Sequence, residues 1–195
     1  AQNQRIVGGD HSIINGILHS KSHDLLNIGG TDAGADGFVI GCLDANGYLD
    51  NDAMTPLLDA SAGCGITLHR CIDVSNNPVQ TYLDAKKLGF DTILTSGAAG
   101  NCMSGLDTIK KLLELQVRDH GPNVLIGAGV NASVIRRICT QLSNAQQFHM
   151  SGKTEIESRM VFRREGVPMG IPGFDEWHIQ QTSLDAVAAA REALK

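Results

Sequence analysis

His69, Arg70 and Asp73 form the densest polar cluster placed at a strand end, and they follow directly on a short apolar run, Ile66-Thr67-Leu68. An imidazole serves as acid, base or metal ligand near neutral pH, and a nearby carboxylate can orient it. His69, Arg70 and Asp73 are therefore a candidate catalytic set. The same residues also suit a plainer role, in which an Arg70–Asp73 pair pins a loop and His69 fills a polar strand end. His149 stands at a comparable place, after Gln147-Phe148. Strand parity puts Thr67, His69 and Cys71 on one face, and His149 with Ser151 on one face of their own run. If both faces point inward, two histidines enter one mouth. His11, His19, His23, His120 and His178 have no such company and are expected at the surface.

A second kind of chemistry is written in glycines. Gly127-Ala128-Gly129 precedes Asn131, which can cap a helix, so backbone N–H groups there can approach an anion. Ser151-Gly152-Lys153 adds donors and a positive charge at the next strand end. Gly127, Gly129, Ser151 and Gly152 are thus the candidate anion-binding set, against the alternative of tight turns that need small residues. The third glycine of a dinucleotide fingerprint is absent.

These residues need elements to position them. Apolar runs at 37–43, 65–70, 91–96, 123–127 and 146–150 read as strands covered on both faces. Helical patterns alternate with them: one opens at Asn77-Pro78 and ends at Gly89, and one carries Leu106, Ile109, Leu112, Leu113 and Val117. Others are capped by Asn131 and Ser183, and Ser12 begins a segment holding Ile13, Ile17, Leu25 and Ile28. Alternating strands and helices predict a parallel α/β fold, either a doubly wound sheet or a barrel. In both, chemistry collects where strands end. Residues 151–182 break the rhythm and read as a long loop with some strand or turn.

Composition narrows the function classes. The net charge of −5 offers no basic surplus for a nucleic-acid backbone. No apolar run approaches membrane-spanning length, and AQNQRIVGG does not start like a secretory signal. Cys42, Cys64, Cys71, Cys102 and Cys139 are scattered and odd in number, which suits a reducing cytosol rather than a disulfide framework.

Several runs carry a family resemblance. GADGFVIGCLDANGYLD, GITLHRCIDVSNNP, LGFDTILTSGAAGNCMSGLDTIKKL, VLIGAGVNASVIRRI and FHMSGK resemble, in the same order, segments of the CutC copper-homeostasis family. MVFRREGVPMG and SLDAVAAAREALK resemble its tail. The resemblance implies a parallel (β/α) TIM-barrel fold, a cytoplasmic homo-oligomer, and copper as the ligand. Family members begin with two further strands, so residues 1–195 are expected to form a single barrel domain, N-terminally incomplete, with a gap in the sheet. Gly8-Gly9-Asp10 and Arg5 match the family's RPRGGD, with Ile6 and Val7 as departures. Gly152 and Lys153 depart from its alanine and arginine. The cysteines suggested as Cu(I) ligands in some members fall in the part without a counterpart here. Copper ligands must then come from His69, His149 and Cys71, with Cys42 and Met150 as further soft donors. Two functions stay open: Cu(I) binding or buffering, and a barrel enzyme acting on a small anionic or phosphorylated substrate.

Overall fold

The computed structural model describes residues 5–8, 36–61, 63–167 and 175–195. Six short strands form one parallel sheet: β1 (Arg5–Gly8), β2 (Gly37–Ile40), β3 (Gly65–Leu68), β4 (Thr92–Thr95), β5 (Asn123–Ile126) and β6 (Gln147–Met150). Their order is β1-β6-β5-β4-β3-β2. Consecutive strands from β2 to β6 are neighbours, and β1 lies beyond β6. A doubly wound sheet reverses its strand order at a switch point. This sheet does not, and a first strand beside the last is the succession a barrel needs. The architecture is therefore an incomplete (β/α) barrel type whose sheet ends at β1 and β2 among the described residues.

Among the described residues five helices accompany the strands: α1 (Asn51–Ala60), α2 (Pro78–Lys87), α3 (Leu106–Asp119), α4 (Ala132–Gln141) and α5 (Leu184–Glu192). Asp50, Asn77, Asn131 and Ser183 accept from backbone N–H groups of their first turns, which satisfies donors that a helix start leaves open. The core lies between layers. Leu68, Ile93, Ile126 and Phe148 from the strands and Ile109, Leu112, Ile135 and Ile138 from α3 and α4 are fully buried. Each such side chain contributes about 1.5–3 kcal/mol when taken from water.

The structure adds to or departs from the sequence reading in three places. β2 to β5 are shorter at their C-terminal ends than the apolar runs. β2 stops at Ile40 because a turn follows, in which Asp44 Oδ1 accepts from the N–H groups of Asn46 and Tyr48. β3 stops at Leu68, and Arg70–Val74 winds into a 3-10 turn, so parity does not run on through Cys71. The 151–182 segment holds two regular strands, β7 (Lys153–Glu157) and β8 (His178–Thr182), paired antiparallel and exposed throughout. Finally, α1 had no reading in the sequence, because Pro56 lies inside it; Met54 and Leu57 nevertheless bury its inner face. The Ser12 segment, Gly9, Asp10, His11, His19 and His23 lie outside the described residues. No helix among the described residues is long and apolar enough to cross a membrane.

Candidate functional site

The 3-10 turn after β3 is built around Asp73. Its carboxylate accepts from Thr95 Oγ1 at 2.5 Å, from the Ser96 and Ala98 N–H groups at 3.0 Å, and from Ser96 Oγ at 2.9 Å. Arg70 Nε closes the set at 2.7 Å. Burial alone pushes the Asp73 carboxyl up. The hydrogen bonds from Thr95, Arg70, Ala98 and Ser96 outweigh it and hold the group below the ordinary carboxylate range. With so many donors Asp73 has no lone pair left for a substrate proton. Its action is to tie the turn after β3 to the loop after β4 and to fix Arg70, whose Nη2 donates to Ser96 Oγ at 2.7 Å. The guanidinium is thereby held by two of its nitrogens and keeps its remaining edge free for a ligand.

His69 takes the other side of the turn. Its Nδ1 accepts from the Cys71 N–H at 3.1 Å. The ring and the Cys71 thiol both close on Gly41, the residue after β2. A Cβ placed there would lie 2.7 Å from Cys71 Sγ and 3.0 Å from His69 Nδ1. His69 and Cys71 therefore do come together, through the 3-10 turn and not through strand parity. Burial lowers the His69 pKa from its ordinary value, against the pull of its own and the Gly41 carbonyl. Burial also pushes the Cys71 thiol up to about 12, helped by the neighbouring Cys42 thiol. Burial and Asp50 raise Cys42 as well.

A cavity of about 270 Å³ opens at the C-terminal ends of β3 to β6. Arg70, Leu94, Gly129, Val130, His149 and Ser151 are among its walls. Burial pushes the His149 pKa down from its ordinary value, because it penalises the charged form. The loop after β5 carries two successive residues in the left-handed region, Ala128 at φ 70° and Gly129 at φ 77°. For an alanine this conformation is uncommon and costs on the order of 1–3 kcal/mol.

The sequence candidates are thus redistributed. Arg70, His149, Gly129 and Ser151 share the cavity, although they came from three different sets. His69 and Cys71 lie on the Gly41 side, so the two histidines do not line one mouth. Gly127 sits under the floor, where a Cβ would meet Leu94 Cδ1 at 2.8 Å. Gly152 faces α5, with Val187 Cγ2 at 3.1 Å from the same construction. Among the described residues no three His, Cys, Asp or Glu side chains are grouped to hold a metal ion. Leu94 and Ala128 were not singled out from the sequence. Leu94 was readable only as a strand residue, and nothing in an alanine announces a positive φ. His120 is exposed, as expected. His178 is exposed too, but has company in Asp175, 2.5 Å away, and Glu155 at 3.7 Å.

With this geometry in view, the comparisons with known proteins are consistent among themselves. The model of the CutC family matches residues 9–154. A family protein CutC from Bacteroides thetaiotaomicron is 36% identical over 164 residues, 83% of this chain and 64% of that protein. One from Bacteroides fragilis is 39% identical over 138 residues, covering 70% and 53%. One from Erwinia tasmaniensis is 33% identical over 162 residues, covering 83% and 62%. The chain therefore spans between about half and two thirds of the length of these relatives. A solved structure of a candidate copper homeostasis protein CutC from Streptococcus agalactiae superposes with a TM-score of 0.58 at 26% identity, over 66% of this chain and 60% of that one.

Proposed function

The chain belongs to the CutC family, and on that premise we propose that it serves copper homeostasis by a weak, exchangeable contact with Cu(I) in the cytosol. The observation that carries the reading is the meeting of a thiol and an imidazole, Cys71 and His69, beside Gly41, with the Cys42 thiol as neighbour. Thiolate and imidazole both suit Cu(I). The same geometry argues for weak binding. The Cys71 thiol holds its proton firmly, and His69 Nδ1 already accepts the Cys71 N–H, so the ion must displace both partners. A passing cargo fits such a site better than a resident metal does. Cys42, Cys71, Cys102 and Cys139 are free thiols, which supports a reducing compartment. Association of several copies belongs to the same reading, supported by the two sheet ends and by exposed Ile156 and Ile179 on the hairpin.

A competition titration against a Cu(I) chelator, anaerobic and with reductant, tests the reading. The expected result is measurable but weak uptake that disappears in Cys71→Ser and strengthens as pH rises. Uptake that Cys71→Ser leaves unchanged contradicts it.

A further inference from the structure

Beyond copper, we infer that the cavity at the ends of β3 to β6 binds the phosphate of a small phosphate monoester, with Arg70, Ser151 and the backbone of the loop after β5 as its donors. The walls are one-sided in charge. Arg70 is a cation, Gly129 and Ser151 carry no charge, and among the described residues no carboxylate lines the cavity. Asp73 stands behind Arg70 as its ion-pair partner, so what Arg70 offers the cavity is its remaining N–H groups. Among the described residues, the N–H groups of Ala128, Gly129 and Val130 donate to no acceptor. Val130 is buried and lines the cavity, so its unpaired N–H is available to a ligand or water there.

The directions of these donors choose the class of anion. A planar carboxylate is gripped best by two parallel N–H groups of a guanidinium. Here Nε is held by Asp73 and one bond of Nη2 by Ser96, which uses up the fork on the Nε side and leaves the Nη1 side for a ligand. What remains is an arginine edge on one wall, a backbone run on a second and a serine at the end of a third strand. Donors arriving from several sides suit a tetrahedral oxyanion. Leu94 and Val130 supply an apolar wall for the body of the ligand, and a cavity of about 270 Å³ limits that body to a few carbon atoms. The sequence pointed to glycines at two strand ends. The structure moves the weight to Arg70 and leaves Gly127 and Gly152 outside.

The test is isothermal titration of the whole chain with inorganic phosphate and, separately, with glycerol phosphate and with acetate. Saturable binding of both phosphates is expected, with acetate weaker and glycerol phosphate at least as tight as phosphate alone. Arg70→Gln should weaken phosphate binding roughly tenfold or more, as loss of a hydrogen bond to a charged group implies. Ser151→Ala, at an exposed position that cannot unfold the chain, should weaken it several-fold. Absence of saturable phosphate binding, acetate binding as tightly as phosphate, or no change in Ser151→Ala would each overturn the inference. Copper uptake should be unchanged in Ser151→Ala, which stands away from the Gly41 junction.

Discussion

Replacing Asp73 is the sharpest test of how the strand ends are held. The side chain is only 5% exposed, and its oxygens accept from Thr95, Ser96, Ala98 and Arg70. In Asp73→Ala all of these donors lose their acceptor. Each hydrogen bond to a charged group contributes about 1.5–3 kcal/mol, but Arg70 is half exposed and re-pairs with water. The Ser96 and Ala98 N–H groups and the Thr95 hydroxyl cannot all do so, which puts the expected loss at about 3–5 kcal/mol. Urea unfolding at pH 7 measures it. Asp73→Asn, which keeps the shape and loses the charge, should fall in between. The pH dependence has a definite sign. A carboxyl held low in the folded chain contributes stability above the unfolded pKa, about 3.9, and loses it as pH falls through the folded value. The gap between the native chain and Asp73→Asn should therefore stay constant from pH 8 to pH 5 and narrow below about pH 4. A loss under about 1 kcal/mol, the scale of a surface substitution, or a gap that closes near neutrality, would refute the clamp.

Other outcomes follow from the same geometry. Burial depresses both His69 and His149, so part of the stability should be lost as pH falls below about 6.5 towards their folded values, and His149→Gln should reduce that loss in a pH series of thermal unfolding. Cys71, pushed up to about 12, should resist iodoacetamide at pH 8 in the folded chain and react once urea exposes it, as peptide mapping would show. Gly97 takes φ 79° and a Cβ on it would overlap the Gly105 carbonyl, so Gly97→Ala should cost more than about 2 kcal/mol by urea titration.

Much of the fold was legible because it rests on local rules. Apolar runs gave β2 to β6, and Asn77, Asn131 and Ser183 marked helix starts that the structure keeps. Where local rules compete, the reading failed. Pro56 hid α1, because a proline inside a helix removes only one bond when its neighbours are well packed. Val117 fits the apolar stripe of α3 yet is exposed, while Leu115 is buried in its place. At the site, the sequence could name His69, Arg70, Asp73 and His149 from their positions at strand ends. It could not say which of them would meet. That depends on the 3-10 turn, which brings His69 and Cys71 to Gly41 and sends Arg70 the other way, towards His149.

The copper reading stands or falls on what surrounds the ion. Copper K-edge absorption of the chain loaded with Cu(I) under reductant gives the nearest atoms directly. The account predicts a shell containing both sulfur and nitrogen. Sulfur should fall away in Cys71→Ser, and the whole shell should change in Gly41→Ala, whose methyl would stand 2.7 Å from the thiol. A shell of nitrogen and oxygen alone, or one that neither substitution alters, would contradict it.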